Sequence, residues 1–167
     1  MRYSICGGIA LGTLLVAALM PARANVGDTM TELRQRYGSA KDMGGQMLFE
    51  VRLKDGQILP ARGATDVENH FTITVYFDGV HSAMEVFTRN TGDPAKANMT
   101  PGDINTILNA IGNGLPWVPL RTGTGKQTWV WGDKRGSLPQ LLARFDPASS
   151  NSPDDASVLV IMEYTEK

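Results

Sequence analysis

One cysteine and two histidines in 167 residues leave little room for thiol or imidazole chemistry. The cysteine, Cys6, lies in an N-terminal apolar run, and everything after it is cysteine-free. A nucleophilic thiol, a disulfide framework and a cysteine-bound metal are thereby excluded from the rest of the chain. Basic runs are missing as well. The 16 Lys and Arg are scattered against 17 Asp and Glu, a balance that suits neither nucleic acid nor an anionic membrane surface as a partner. No Gly-x-Ser-x-Gly elbow occurs. The only serine next to a candidate base is Ser82 after His81, and neighbours on a strand point to opposite faces.

The N-terminus carries what the rest lacks, a long apolar run. Arg2 precedes Ile5 to Met20, and Ala22-Arg23-Ala24 follows as a small-x-small cleavage signal, the arrangement of a secretory signal peptide. The run has 16 positions, three of them glycine, short of the ~20 apolar residues a membrane-spanning helix needs. Residues 1–24 are therefore expected to be a signal peptide, cut between Ala24 and Asn25, with no stable membrane anchor after cleavage. A lipid-anchored precursor would place its cysteine just after the apolar run, whereas Cys6 stands near its start. Residues 25–167 are expected to form a single α+β domain, periplasmic or secreted. Cleavage removes two basic residues and no acid, so 14 bases face 17 acids.

Beyond residue 25 the periodicity alternates between helix and strand. Thr29 and Glu32 have capping-box spacing, Met30, Leu33 and Tyr37 share one helical face, and Gly38 supplies a stop. Thr100, Pro101 and Asp103 open a second helix with Ile104, Ile107, Leu108 and Ile111 on one face before Gly112. Strands are expected where the period becomes two: Met47 to Leu53, ending at the turn pair Asp55-Gly56; a hairpin from His70 to Arg89; then Thr128 to Trp131, Gln140 to Phe145 and Ser157 to Tyr164. If Asp78-Gly79 is the two-residue hairpin turn, Phe77 pairs with Val80, Val75 with Ser82, Ile73 with Met84 and Phe71 with Val86 on the core face. Tyr76 then faces His81, and His70 faces Phe87, on the outer side. The fold class is α+β, an antiparallel sheet with two short helices packed on one face. Each helix precedes about three strands, which suggests two αβββ halves.

The candidates for chemistry are few. On this register His70 and His81 lie roughly 20 Å apart, at about 3.3 Å per residue, too far to share a metal ion. Asp66 with Glu68 and Asp154 with Asp155 sit in polar loops with nothing adjacent to raise a pKa. Gly123 to Lys126 has the end of a phosphate loop, but Leu120 replaces its first glycine and Gln127 its Ser or Thr. Aromatic side chains are better placed for binding. Trp129 and Trp131 share a strand face, either as core or as a stacking platform, and Tyr76, His81 and Phe87 would form a patch on the hairpin's outer face.

Gly27, Thr29, Glu32, Leu33, Arg36, Tyr37 and Gly38, followed by the hairpin from Phe71 to Val80, resemble small secreted α+β proteins of the β-lactamase-inhibitor-like and small outer-membrane assembly lipoprotein types. The resemblance covers the first half. It implies helices on one face of an antiparallel sheet and a role in binding other proteins. The chain departs from it in having neither the lipoprotein cysteine nor the inhibitors' disulfides, so neither specific activity carries over. The expected function is that of a non-enzymatic exported module that binds an envelope or extracellular protein or a small ligand, without cofactor, metal or catalytic residues, through Tyr76, His81, Phe87, Trp129 and Trp131. The alternative is a small envelope hydrolase or carbohydrate-binding protein with a cleft between loops 57–70 and 112–127.

Overall fold

The computed structural model describes residues 26–61, 69–91, 97–112, 116–120, 126–131, 141–148 and 156–163. Residues 1–24, expected to be a signal peptide, and the expected cleavage residues Ala24 and Asn25 lie outside them, as do Asp66, Glu68, Asp154, Asp155 and most of the 123–126 segment. The architecture is α+β, a largely antiparallel sheet with two helices. In chain order the elements are α1 (Met30–Tyr37), β1 (Ala40–Asp42), β2 (Gln46–Lys54), β3 (Gln57–Pro60), β4 (His70–Asp78), β5 (His81–Arg89), α2 (Pro101–Gly112), β6 (Val118–Leu120), β7 (Gln127–Trp131), β8 (Leu141–Asp146) and β9 (Val158–Glu163).

The sheet runs β1-β2-β4-β5-β9-β8-β7-β6, with β3 sharing the β2 edge beside β1. The connectivity repeats. A helix leads into β1, β2, β4 and β5 in one half and into β6, β7, β8 and β9 in the other, and the last strands of the two halves, β5 and β9, pair at the centre.

Alternation sets the two faces. Met47, Phe49 and Val51 of β2 lie beside Val75, Ile73 and Phe71 of β4, and these join Phe87, Leu159, Ile161, Leu141, Ala143 and Trp131 in one core cluster. Leu33 and Tyr37 of α1 and Ile104, Ile107, Leu108 and Ile111 of α2 belong to the same cluster. Burying each of these large apolar side chains is worth about 1.5–3 kcal/mol.

Both helix starts are built as the sequence indicates. The Glu32 carboxylate accepts from the Thr29 amide at 2.8 Å and the Glu32 amide donates to the Thr29 hydroxyl, a full capping box. Thr100 and Asp103 repeat the exchange at α2, with bonds of 2.8 and 3.2 Å.

The hairpin register differs from the expected one. The turn is Gly79-Val80, with Asp78 opposite His81 and a positive φ of 62° at Gly79, the glycine-first pattern of a type II′ turn. A bulge follows: Phe77 pairs with Ser82, but Tyr76 pairs with Met84, leaving Ala83 as the extra residue. One extra residue exchanges the faces of everything beyond it. Phe87 therefore packs opposite Ile73 rather than beside His70, and is fully buried. Glu85 turns inward opposite Val75, while Met84 and Val86, expected in the core, turn outward.

Three strands fall where the periodicity marks none. β1 is polar, so only its Gly44-Gly45 turn signals it; β3 is four residues ending in Pro60; β6 is a three-residue edge containing Pro119. Both β3 and β6 fall within the loops expected to form a cleft.

Candidate functional site

At the end of the sheet where the β1–β2 and β4–β5 turns meet the start of α1, a groove of about 330 Å³ opens, at the small end of the ~300–1,000 Å³ range of ligand sites. Its walls are Met30, Met47, Phe77 and Val80, with Asp42 and Gln46 as the polar residues and Gly45 and Gly79 at the turns. Gly44 and Gly45, with φ of 77° and 97°, allow the tight β1–β2 turn. The Met43 amide closes that turn on the Gln46 carbonyl at 3.0 Å, and the Gly44 amide donates to the Asp42 carboxylate at 2.9 Å.

The surroundings of the groove are apolar as well. Five large hydrophobic side chains are exposed among the described residues, and three belong to this end of the sheet: Met43, Tyr76 and Val80, the last at 69%. Tyr76 pairs with Gln46 across β2. The other two, Val118 and Leu120, lie on the β6 edge. Gln46 carries an unmet polar group, since its Oε1 is buried with no hydrogen-bond partner.

A buried polar cluster joins α1 to β5. The Tyr37 hydroxyl donates to Glu85 Oε2 at 3.1 Å, and Glu85 Oε1 is buried without a partner. Loss of hydration pushes the Glu85 carboxyl up to about 7, against the lowering effects of Tyr37 and Arg36. Tyr37 is pushed up too, first by burial and then by the Glu85 charge. Arg36 pairs with Asp28 and lies 5.7 Å from the centre of the Tyr37 ring. The segment before α1 is tied to the hairpin: the Gly27 amide donates to the Ser82 carbonyl and the Ser82 amide to the Asp28 carbonyl, at 2.6 and 2.8 Å. A carboxyl raised towards neutrality is suited to acid–base work, but Glu85 is only 1% exposed. Its proton is therefore held inside the core, away from solvent.

Of the residues expected to bind, Tyr76 and His81 stay at the surface near the groove, while Phe87 and Trp131 are in the core and Trp129 is partly buried against it. The tryptophans have a structural task. The Trp131 indole donates to the Gly112 carbonyl at 2.9 Å, one of the carbonyls that the end of α2 leaves without a helical partner, and the Trp117 indole to the Leu108 carbonyl one turn earlier at 2.7 Å. Among the described residues, no cluster of three or more His, Cys, Asp or Glu could hold a metal ion, and no helix is long and apolar enough to cross a membrane.

The sequence-based expectations missed both the groove and Glu85. Gly44-Gly45 is a recognisable turn signal for the first, whereas the second depends on the Ala83 bulge, which no residue type announces. No family model matches the chain, and comparison with curated proteins and with solved structures finds no match to it. The likeness noted from the sequence rests on the quoted residues alone.

Proposed function

We propose that the chain is an exported, non-enzymatic binding module whose groove takes an apolar side chain of a protein partner. The observation that carries this reading is the groove walled by Met30, Met47, Phe77 and Val80, with Met43 and Tyr76 exposed around it. Methionines suit such a wall, because an unbranched thioether adapts its shape to what it meets. The partner is an envelope or extracellular protein, met in the periplasm or outside the cell after the leader is removed. Cleavage between Ala24 and Asn25 leaves residues 25–167 as one domain, in which both helices pack on one sheet face and the two helix-plus-meander halves descend from one duplicated unit.

Photo-crosslinking tests this reading. A photoreactive side chain at position 80 is expected to give a discrete protein adduct in the chain's own envelope fraction, and one at position 50, on the exposed Glu50 of β2, is expected to give none. Adducts of equal yield at both positions, or none at position 80, would contradict it.

A further inference from the structure

The groove and the buried carboxyl of Glu85 are joined by one stretch of chain. Residues 30–42 comprise α1 and β1, with only Gly38 and Ser39 between them. Met30 at the front of this stretch and Asp42 at its end both line the groove. Tyr37, between them, donates its hydroxyl to Glu85 Oε2. The sheet makes the same connection, since Glu85 lies opposite Val75 and Val75 opposite the lining residue Met47.

Elsewhere the stretch is lightly held. α1 has eight residues, too few to be stable alone, and buries only Leu33 and Tyr37. β1 is a three-residue strand at the end of the sheet, with Lys41 and Asp42 exposed. The front is pinned to β5 through the backbone of Gly27 and Asp28 and the bridge between Thr29 and His81. Behind that pin, Tyr37 is the contact that depends on charge. An ionised Glu85 would place its charge in the core with Oε1 unpartnered, a costly arrangement. Among the described residues, the titratable and charged groups acting on it are Tyr37 and Arg36 of α1 and Asp28 before it. Arg36 is already paired with Asp28. The neighbours of Glu85 across the sheet, Val75 and Ile161, carry no charge. Relief must come from water, which reaches the carboxylate only if the stretch above it gives way.

Resting on the reading of the groove above, we propose that residues 30–42 form a strap latched by the proton on Glu85. With the proton in place, Tyr37 holds the strap down and the groove keeps all its walls. When the proton leaves, the strap loosens behind Thr29, and Met30 and Asp42 no longer hold their places around an occupant. Burial raises this carboxyl to about 7, which sets the change near neutrality. The groove therefore takes its occupant more tightly when Glu85 is protonated, and an occupant in turn helps to hold the proton.

The test titrates cyclohexanol, an apolar probe without charge, into the exported chain carrying ¹³C-methyl methionine. Dissociation constants are read from the Met30 and Met47 methyl resonances at about pH 5.5 and about pH 8.5. The constant is expected to be roughly threefold larger at the higher pH, as it is when the binding-competent fraction falls to about one third. In Glu85→Gln, which has no proton to lose, the two constants should agree. Without any substitution, saturating cyclohexanol should raise the midpoint of the Glu85 carboxyl titration by about half a pH unit, the same threefold read from the proton's side. Equal constants in the unsubstituted chain, or an unmoved midpoint, would overturn the latch and leave the groove standing. A difference that persists in Glu85→Gln would assign the pH dependence to another group, His81 first, and also overturn it. No methyl shift at either pH would overturn the groove itself, and the latch with it.

Discussion

The two helices are held to the same core by different chemistry. α2 has 12 residues and buries Ile104, Ile107, Leu108 and Ile111, while α1 has eight and buries Leu33 and Tyr37. α2 is fixed at both ends. The Arg89 guanidinium lies 3.4 Å from Asp103 in its first turn, and two indoles meet carbonyls of its last two turns. α1 depends on polar contacts: the Tyr37 hydroxyl on Glu85, and Arg36 on Asp28. The apolar packing of α2 has no titratable group, whereas a carboxyl raised to about 7 makes the hold on α1 depend on pH. α1 is also the helix whose first residue, Met30, walls the groove. None of the residues lining the groove comes from α2, whereas α1 supplies one of them.

The contrast is broken most forcefully at α2. Ile107 is fully buried, and Ile107→Ala is expected to cost about 2–5 kcal/mol in chemical unfolding through the cavity it leaves, with a loss that barely varies with pH.

Glu85 gives the complementary effect. Its folded-state pKa is above the ordinary 4.5, so the folded chain holds this proton more tightly than the unfolded one. The stabilisation is complete below pH 4.5 and is lost as pH rises to about 7, a decline of about 3 kcal/mol at ~1.4 kcal/mol per unit. Glu85→Gln keeps an oxygen for the Tyr37 hydroxyl and is expected to flatten this decline in unfolding curves measured across that range.

A smaller effect is expected at Gly112. A Cβ there would stand 2.8 Å from Trp117 Nε1 and 3.3 Å from Trp131 Cδ1. Gly112→Ala should cost about 1–3 kcal/mol by overpacking, with a change in tryptophan fluorescence as the indoles move off their carbonyls.

How far these differences could be read in advance depends on the kind of signal. The α2 start is written in Thr100, Pro101 and Asp103 and its face in four apolar residues, and α1 in the Thr29–Glu32 box; all are local patterns. The strands from β7 to β9 and the long hairpin were legible because alternation is local too. The face of β5 was not, because it depends on one residue, Ala83, being left out of the pairing. That omission puts Phe87 in the core and Glu85 beneath Tyr37, and it removed Phe87 from the expected surface patch. The groove was hidden for a different reason. Met30, Gln46 and Val80 come from three segments that only the folded sheet brings to one end.

Hydrogen exchange is the most direct test of the division between the helices. Amide protection is compared for residues 34–37 of α1 and 104–111 of α2 at about pH 5 and about pH 8, after correction for intrinsic exchange. The account predicts that protection of α1 relative to α2 falls by about tenfold at the higher pH and that Glu85→Gln abolishes the fall. A ratio that stays constant with pH, or that falls equally in Glu85→Gln, would contradict it.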